Sequence, residues 1–229
     1  MADEDVFEGD GAGWEQNEQP AYRVLEAAEC GDAQKVRELV QVAGVPLGQI
    51  IWGATYILSQ GRLSYAGLKF LLDVCGTATS LNSCSNFGWT VLASATVRTW
   101  DSATVRTCDL RTLELLLSRG ANPNQRVVNM TYNATPLELI NDGNVTSSAR
   151  TRRLISHLLL RYGAEISPAA TDPYLRKVAA AGGFRAYEKA HRRALAMPLA
   201  RVDFPRLPVD VVSHVVAFWF HTGYYWEHR

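Results

Sequence analysis

The chain has 229 residues, enough to bury the core of one domain, and its 23 basic and 23 acidic residues leave no net charge. A sequence pI of about 7.0 argues against nucleic acid as a partner, because domains that bind it commonly have pI values above about 9. The longest apolar run, residues 211–220, is interrupted by Ser213 and His214 and is too short to cross a membrane. We therefore expect no membrane association.

The charges are distributed unevenly, because residues 1–20 contain seven acidic residues and no Lys or Arg. This composition predicts a disordered acidic arm, in which Trp14 is the residue suited to docking. The arm lacks the basic and apolar regions of a signal peptide, and the four cysteines show no C-x-x-C spacing. We therefore expect reduced thiols and a cytoplasmic protein, with the nucleus as a second compartment.

Helical periodicity begins near Ala21 and predicts two helices, over 22–30 and 33–42, separated by Gly31-Asp32. The second helix has apolar residues at i, i+3 and i+4, namely Val36, Leu39 and Val40. Gly44 follows it and is suited to a left-handed C-cap.

Two further helix pairs are predicted, over 49–59 with 64–74 and over 92–97 with 110–118. Asp109 precedes the last of these helices and is a good N-cap residue. Leucines mark the buried faces of the second helix in each pair: Leu68, Leu71 and Leu72, then Leu110, Leu113, Leu116 and Leu117.

In the fourth pair, Thr135-Pro136-Leu137 begins a short helix, and a longer helix is predicted over 149–161. The longer helix has the apolar stripe Leu154, Ile155, Leu158 and Leu159. A fifth, less regular pair is predicted over 174–181 and 184–196, joined by two glycines. No segment shows the alternation of a strand, so the predicted fold class is all-α.

Two helix ends repeat the phrase Leu-Leu-x-x-Gly-Ala, at 116–121 and 159–164. With Thr135-Pro136-Leu137, and with Trp89-Thr90-Val91-Leu92 as a variant of it, these phrases resemble the ankyrin repeat. Thr can cap a helix, Pro suits its first turn, and Gly adopts positive φ where the chain reverses. The resemblance implies an ankyrin-repeat solenoid of about five helix-turn-helix units closed by a C-terminal capping helix. The units would cover about 21–47, 48–79, 86–125, 131–168 and 171–197.

The spacing departs from the family, whose period is about 33 residues. Gly76 and Gly120 are 44 residues apart and Gly120 and Gly163 are 43 apart, which predicts insertions at 99–107 and 141–148. The His that follows Thr-Pro-Leu in the family is replaced by Glu138. The resemblance implies a protein partner held on the loop tips and first helices, and Trp100 in the first insertion is a candidate contact residue.

Residues 198–229 have a different pattern, in which Pro208 begins an apolar helix. Eight of them match the opening helix of an F-box: Leu207, Pro208, Asp210, Val211, Val212, Val215, Val216 and Trp219. Ankyrin repeats followed by such a helix resemble the poxviral ankyrin proteins, which implies a Skp-type adaptor and a cullin as partners, in the host cytoplasm. A SOCS box fits less well, because no cysteine follows Cys108. The alternative is a helix that only caps the solenoid, as in a stand-alone inhibitor or decoy.

Other candidate chemistry is weak. His214, His221 and His228 are seven residues apart but lack a further metal ligand. The basic clusters at Arg150, Arg152, Arg153 and at Lys189, Arg192, Arg193 have the spacing of solvated helix faces, onto which the acidic arm could alternatively fold. We expect a monomeric interaction protein without catalytic residues, cofactor or metal.

Overall fold

The computed structural model describes residues 19–44, 46–59, 63–85, 88–98, 107–128, 131–141 and 149–202, together with Pro208 and residues 211–212. These ranges contain eleven α-helices and one two-stranded hairpin. The helices are α1 (Gln19–Glu29), α2 (Ala33–Ala43), α3 (Leu47–Ser59), α4 (Tyr65–Cys75), α5 (Ala78–Leu81), α6 (Val91–Arg98), α7 (Thr107–Ser118), α8 (Pro136–Asn141), α9 (Ala149–Arg161), α10 (Pro173–Ala180) and α11 (Phe184–Val202). The strands are β1 (Val127–Val128) and β2 (Asn133–Ala134).

The helices contact one another in two rows. Consecutive helices pair as α1 with α2, α3 with α4, α6 with α7, α8 with α9 and α10 with α11. The first helices also contact along the series α1, α3, α6 and α8, and the second helices along α2, α4, α7, α9 and α11. One apolar core extends through both rows, from Val24 of α1 to Phe184 of α11. The chain is therefore mostly helical, as the periodicity predicts.

The predicted leucine stripes are the buried faces of their helices. Leu68, Leu71 and Leu72 are buried in α4, and the four predicted leucines of α7 are buried in the helix that contacts α4, α6 and α9. In α9, Ile155, Leu158 and Leu159 are buried and Leu154 is half-buried. Apolar residues at helical spacing therefore identified the core correctly in these three helices.

Two helix ends share one backbone conformation. Gly120 and Gly163 have φ values of 93° and 92°. After each glycine, an alanine N–H donates to a leucine carbonyl five residues earlier, with N–O distances of 3.0 Å. The repeated Gly-Ala phrase therefore marks a repeated turn, as predicted. Gly76 differs because its φ is −67°, and a Cβ there would overlap the backbone of Leu72.

Three local predictions were wrong. The hairpin of β1 and β2 was not predicted, because strands of two residues are too short to show alternation. Helix α7 begins at Thr107, so Asp109 lies inside its first turn rather than at its N-cap. Helix α11 continues through Pro198 to Val202 instead of ending at Ala196, because the Ala-, Leu- and Arg-rich sequence favours helix at the cost of one backbone hydrogen bond.

Several predicted features lie outside the described residues: residues 1–18 of the acidic arm predicted over 1–20, Trp100, and nearly all of both predicted insertions. The last two residues of the predicted arm, Gln19 and Pro20, instead begin α1. Of the described helices, none is both long enough and apolar enough to span a bilayer.

Candidate protein-binding surface

The loop between α7 and α8 forms a short hairpin. Val127 pairs with Ala134 and Val128 with Asn133 in the antiparallel register of β1 and β2. Successive strand residues point to opposite faces, so Val127 is fully buried whereas Val128 is 64% exposed. The hairpin thus presents one apolar side chain outward.

A second loop, between α5 and α6, has a similar form. Cys84 and Thr90 make an antiparallel bridge, and the Ser85 N–H donates to the Trp89 carbonyl at 2.8 Å. The Trp89 ring meets the edge of Tyr132, with ring centroids 5.6 Å apart. Both side chains pack on a small apolar cluster that includes Val127 and is separate from the main core. The two loops therefore lie side by side.

Asn82 connects the α5–α6 loop to the turn that ends α7. Its side-chain amide donates to the Gly120 carbonyl at 3.1 Å, and its side-chain oxygen accepts from the Asn122 N–H at 2.7 Å. The Gln125 amide donates in return to the Asn82 carbonyl at 2.7 Å. One asparagine thereby satisfies a donor and an acceptor of a turn about forty residues further along the chain.

Asn124 makes the same two contacts one turn later. Its amide donates to the Gly163 carbonyl at 3.0 Å, and its side-chain oxygen accepts from the Glu165 N–H at 2.7 Å. The Asn124 N–H also donates to the Asn122 side chain at 2.9 Å. Asn122 therefore joins the two asparagine bridges into one continuous hydrogen-bonded series.

Threonines cap the helices that follow the loops. The Thr90 hydroxyl accepts from the Ala93 N–H at 3.1 Å, and the Thr135 hydroxyl accepts from the Glu138 N–H at 3.3 Å. The Glu138 carboxylate accepts from the Thr135 N–H at 2.9 Å, which completes a capping box. Glu138 thus stabilises the start of α8.

A hollow of about 370 Å³ lies between the hairpin, α8 and the loop before α10. Arg126 crosses its rim, with an ion pair to Glu138 at 3.1 Å and a hydrogen bond to Asn133 at 2.8 Å. On the opposite side, Asp172 caps α10 by accepting from the N–H groups of Tyr174 and Leu175. Ala134, Ala169 and Ala170 add accessible apolar surface to the hollow, whereas Leu137 and Leu139, which also line it, are each only 1% exposed. The site therefore combines apolar contact area with polar groups held in fixed positions.

Ion pairs connect the second helices. Asp73 of α4 pairs with Arg119 at the end of α7, and Glu114 of α7 lies 3.8 Å from Arg161 of α9. Burial raises the pKa of the Asp73 carboxyl, but hydrogen bonds from Lys69 and Arg119 outweigh this effect and leave the pKa below its usual value. These ion pairs connect α4 to α7 and α7 to α9, just as the asparagine bridges connect successive loops.

Three of the predicted F-box-like residues lie within the described residues. The Val212 N–H donates to the Pro208 carbonyl at 3.1 Å, the i to i+4 bond of a first helical turn. Val212 is fully buried, whereas Val211 is 41% exposed. The other five lie outside the described ranges: Leu207, Asp210, Val215, Val216 and Trp219.

His157 and His191 are half-buried, and each packs against one aromatic ring. His157 meets the edge of Phe184 with centroids 4.9 Å apart, and His191 stacks on Tyr187 at 5.8 Å. Within the described ranges, no three His, Cys, Asp or Glu side chains are grouped so as to hold a metal ion.

The asparagine bridges were missed by sequence reasoning, because Asn82 and Asn124 bond to residues 38 to 41 positions further along the chain. The Thr-x-x-Glu spacing of a capping box, in contrast, is readable in the sequence. No protein-family model, curated protein or solved structure matches the chain. The bridges, loops and hollow are therefore the basis for assigning a function.

Proposed function

We propose that this chain is a non-enzymatic interaction protein of the ankyrin-repeat type, with about five helix-turn-helix units and a cytoplasmic location. The two rows of contacting helices and the two matching Gly-Ala turns support this class. The observation that carries the proposal is the pair of equivalent asparagine bridges, Asn82 to the Gly120 turn and Asn124 to the Gly163 turn. Equivalent contacts at successive turns are typical of stacked repeats that interact with their neighbours.

The partner binds on the face that carries the loops and the hollow. The asparagine bridges and the helix caps hold these loops in place before a partner binds, so binding loses little conformational entropy from ordering the loops. Val128 supplies an exposed apolar contact at the edge, and Arg126 and Glu138 supply oriented polar groups. A standard protein interface covers about 800 Å² on each side, so the partner also covers surface around the hollow.

Affinity capture of the full chain from cell extract, followed by mass spectrometry, tests this surface. Val128→Glu places a charge on the hairpin, and Val42→Glu places the same charge on α2, where Val42 is 82% exposed. Both sites are exposed, so we expect both variants to fold. A partner of the loop face is lost with Val128→Glu and kept with Val42→Glu. Equal capture by both variants would contradict this location.

We also propose that the C-terminal helix recruits a Skp-type adaptor and a cullin, which would make the chain a substrate receptor of a ubiquitin ligase. Val212 is buried and the neighbouring Val211 is exposed. This difference supports a helix that packs one face on the protein and leaves another face available for the adaptor. Val211→Asp is expected to abolish co-purification of the adaptor while leaving the melting temperature within about 1 °C of wild type, as for other surface substitutions.

The second candidate is an inhibitor or decoy in which this helix only caps the repeats. The burial of Val212 favours it, because a terminal repeat needs its apolar end covered. In that case Val212→Asp lowers stability while neither adaptor nor cullin co-purifies with the wild-type chain. Adaptor bound to wild type and lost with Val211→Asp would exclude the cap-only function.

A further inference from the structure

Positive charge is concentrated on the last three helices. Residues 149–202 contain eleven basic and three acidic residues, whereas residues 19–148 contain ten of each sign. The positive excess therefore lies on α9, α10 and α11. Scattered surface charges attract anions without selecting one, so the informative side chains are those that converge on a single concave place.

Such a place is a cavity of about 270 Å³ between α9, α10 and α11, called here the cationic pocket. Arg152, Arg153 and Ser156 line it from one face of α9, because residues three and four positions apart on a helix are neighbours. Lys177 lines it from α10, and Tyr187 lines it from α11. Three cations thus converge on one pocket.

These three cations are not neutralised by ion pairs within the fold. Arg152, Arg153 and Lys177 have no carboxylate within ion-pair distance in the part of the chain that the structure describes. Among the described lining residues only Asp172 is acidic, and it accepts from the first two N–H groups of α10 at 2.9 and 3.0 Å. Three cations and one carboxylate leave the pocket with a formal charge of +2.

A buried hydroxyl adds an uncharged donor to the pocket. Ser156 is 1% exposed, and its hydroxyl oxygen accepts from the Asn141 side-chain amide at 3.1 Å. The O–H of Ser156 donates to no acceptor among the described residues, and a buried donor is costly to leave without one. An oxygen of a ligand in the cationic pocket would accept this hydrogen bond.

Charge and donors together indicate the chemistry of the ligand. A phosphorylated side chain carries a charge of about −1.5 to −2 at pH 7 and has three acceptor oxygens. It therefore matches the pocket charge of +2, and arginine commonly binds phosphate through two parallel hydrogen bonds. A carboxylate carries only one negative charge and would leave half of the positive charge uncompensated.

The size and position of the pocket indicate a protein as the source of the phosphate. Its volume of about 270 Å³ is below the range of about 300–1,000 Å³ for pockets that enclose drug-sized ligands, so it suits the end of one side chain. Asn141 and Asp172 line both the cationic pocket and the hollow of the loop face. A protein bound to the loop face can therefore reach the pocket. This step rests on the proposed function, whereas the charge match does not.

We propose that the cationic pocket binds a phosphorylated Ser, Thr or Tyr side chain of the partner protein. Arg152 is half-buried and Arg153 and Lys177 are exposed, so all three cations are accessible to the ligand. Recognition of phosphorylated motifs by clustered arginines is a common mode of peptide binding. Binding of the partner then depends on its phosphorylation.

An NMR titration of the full chain tests the pocket without the partner. The probes are the N-acetyl amides of O-phosphotyrosine and O-phosphoserine, and the controls are the N-acetyl amides of tyrosine and glutamate. The phosphorylated probes should shift the amide signals of the α9 and α10 residues that line the pocket. The tighter of them should bind about fivefold more tightly than the glutamate probe, because its second negative charge adds one ion pair. Equal affinity for glutamate, or no shift of these signals, would overturn the proposal.

Variants of matched charge separate a specific site from general attraction. Arg152→Gln with Lys177→Gln should weaken binding of the phosphorylated probe about tenfold, since each exposed ion pair contributes up to about fivefold. Lys35→Gln with Arg37→Gln removes the same charge from exposed positions of α2 and should leave the affinity within about twofold. Ser156→Ala should weaken binding about fivefold or more with no change in net charge. Thermal melts confirm folding, and equal weakening by both charge variants would overturn the site.

Affinity capture tests whether the phosphate comes from the partner protein. The partner that is lost with Val128→Glu should be captured from extract prepared with phosphatase inhibitors. It should be lost after phosphatase treatment of the extract, and lost with the Arg152→Gln, Lys177→Gln variant. Retention of that partner after phosphatase treatment would overturn the protein source and leave the proposed function intact. If no captured protein depends on Val128, the proposed function fails, and the probe titration still decides whether the pocket binds phosphate.

Discussion

Replacement of Asn124 by Ala tests whether the asparagine bridges hold successive turns together. The substitution removes the hydrogen bond to the Gly163 carbonyl and the one from the Glu165 N–H, at 3.0 and 2.7 Å. A protein hydrogen bond contributes about 0.5–1.5 kcal/mol net, so two of them contribute about 1–3 kcal/mol. Both bonds are accessible to water, which replaces part of each. We therefore expect a loss of about 1–2 kcal/mol in the free energy of unfolding, toward the lower part of that range.

Equilibrium urea denaturation followed by circular dichroism measures this loss. A chain of this size changes its melting temperature by about 2–4 °C per kcal/mol, so thermal melts should show a decrease of about 2–8 °C. Thr171→Ala is the control, because Thr171 is exposed in the next loop and makes no hydrogen bond within the described part of the chain. If the free energies of unfolding of Asn124→Ala and Thr171→Ala agree within about 0.3 kcal/mol, the bridge does not stabilise the fold.

A double-mutant cycle extends the test. Asn122 accepts from the Asn124 N–H and donates to the Asn82 side chain, so the two bridges share a residue. We expect Asn82→Ala and Asn124→Ala to be non-additive by about 0.5 kcal/mol or more, as for residues in one network. Strict additivity would mean that each turn is fixed independently.

Three further predictions concern stability measured by the same denaturation assay. Thr135→Ala should cost about 1 kcal/mol through loss of the capping box, whereas an unchanged midpoint would show that Pro136 and packing alone begin α8. Gly163→Ala should lower the free energy of unfolding by about 1–2 kcal/mol. The whole loss comes from the φ of 92°, because an added Cβ there meets no neighbouring atom. An unchanged stability would contradict the left-handed turn. Asp73→Asn should cost about 0.2–1 kcal/mol at neutral pH. Because the folded pKa is lowered, this difference should disappear as the pH falls below the ordinary value of 3.8, and a difference that persists in acid would exclude the ion pair as its cause.

The parts of the fold that local periodicity specifies were predictable from the sequence. Leu68, Leu71 and Leu72 lie on one helix face because of their spacing alone, and they are buried. Gly120 and Gly163 follow leucine-rich helices and adopt the positive φ that terminates them. These features need no information from distant residues, which is why they could be recognised before the tertiary contacts were known.

The candidate site depends instead on residues far apart in sequence. Asn82 and the carbonyl of Gly120 are 38 residues apart, so no local pattern predicts the bond between them. The hairpin is stabilised by Tyr132 packing against Trp89 in the preceding loop, and its strands have only two residues each. Such strands form only where tertiary contacts override weak local preference.

Glu138 makes contacts with two neighbouring parts of the fold. It completes the capping box with Thr135 and pairs with Arg126 beside the preceding hairpin. One side chain thereby connects the start of α8 to the loop beside it. Because both contacts line the hollow, a substitution of Glu138 would alter the proposed binding surface and the stability of the fold together. The Val128 side chain is largely exposed, so its substitution should affect binding with little effect on stability. Val128 is therefore a better position for testing the binding surface than any residue within the hollow.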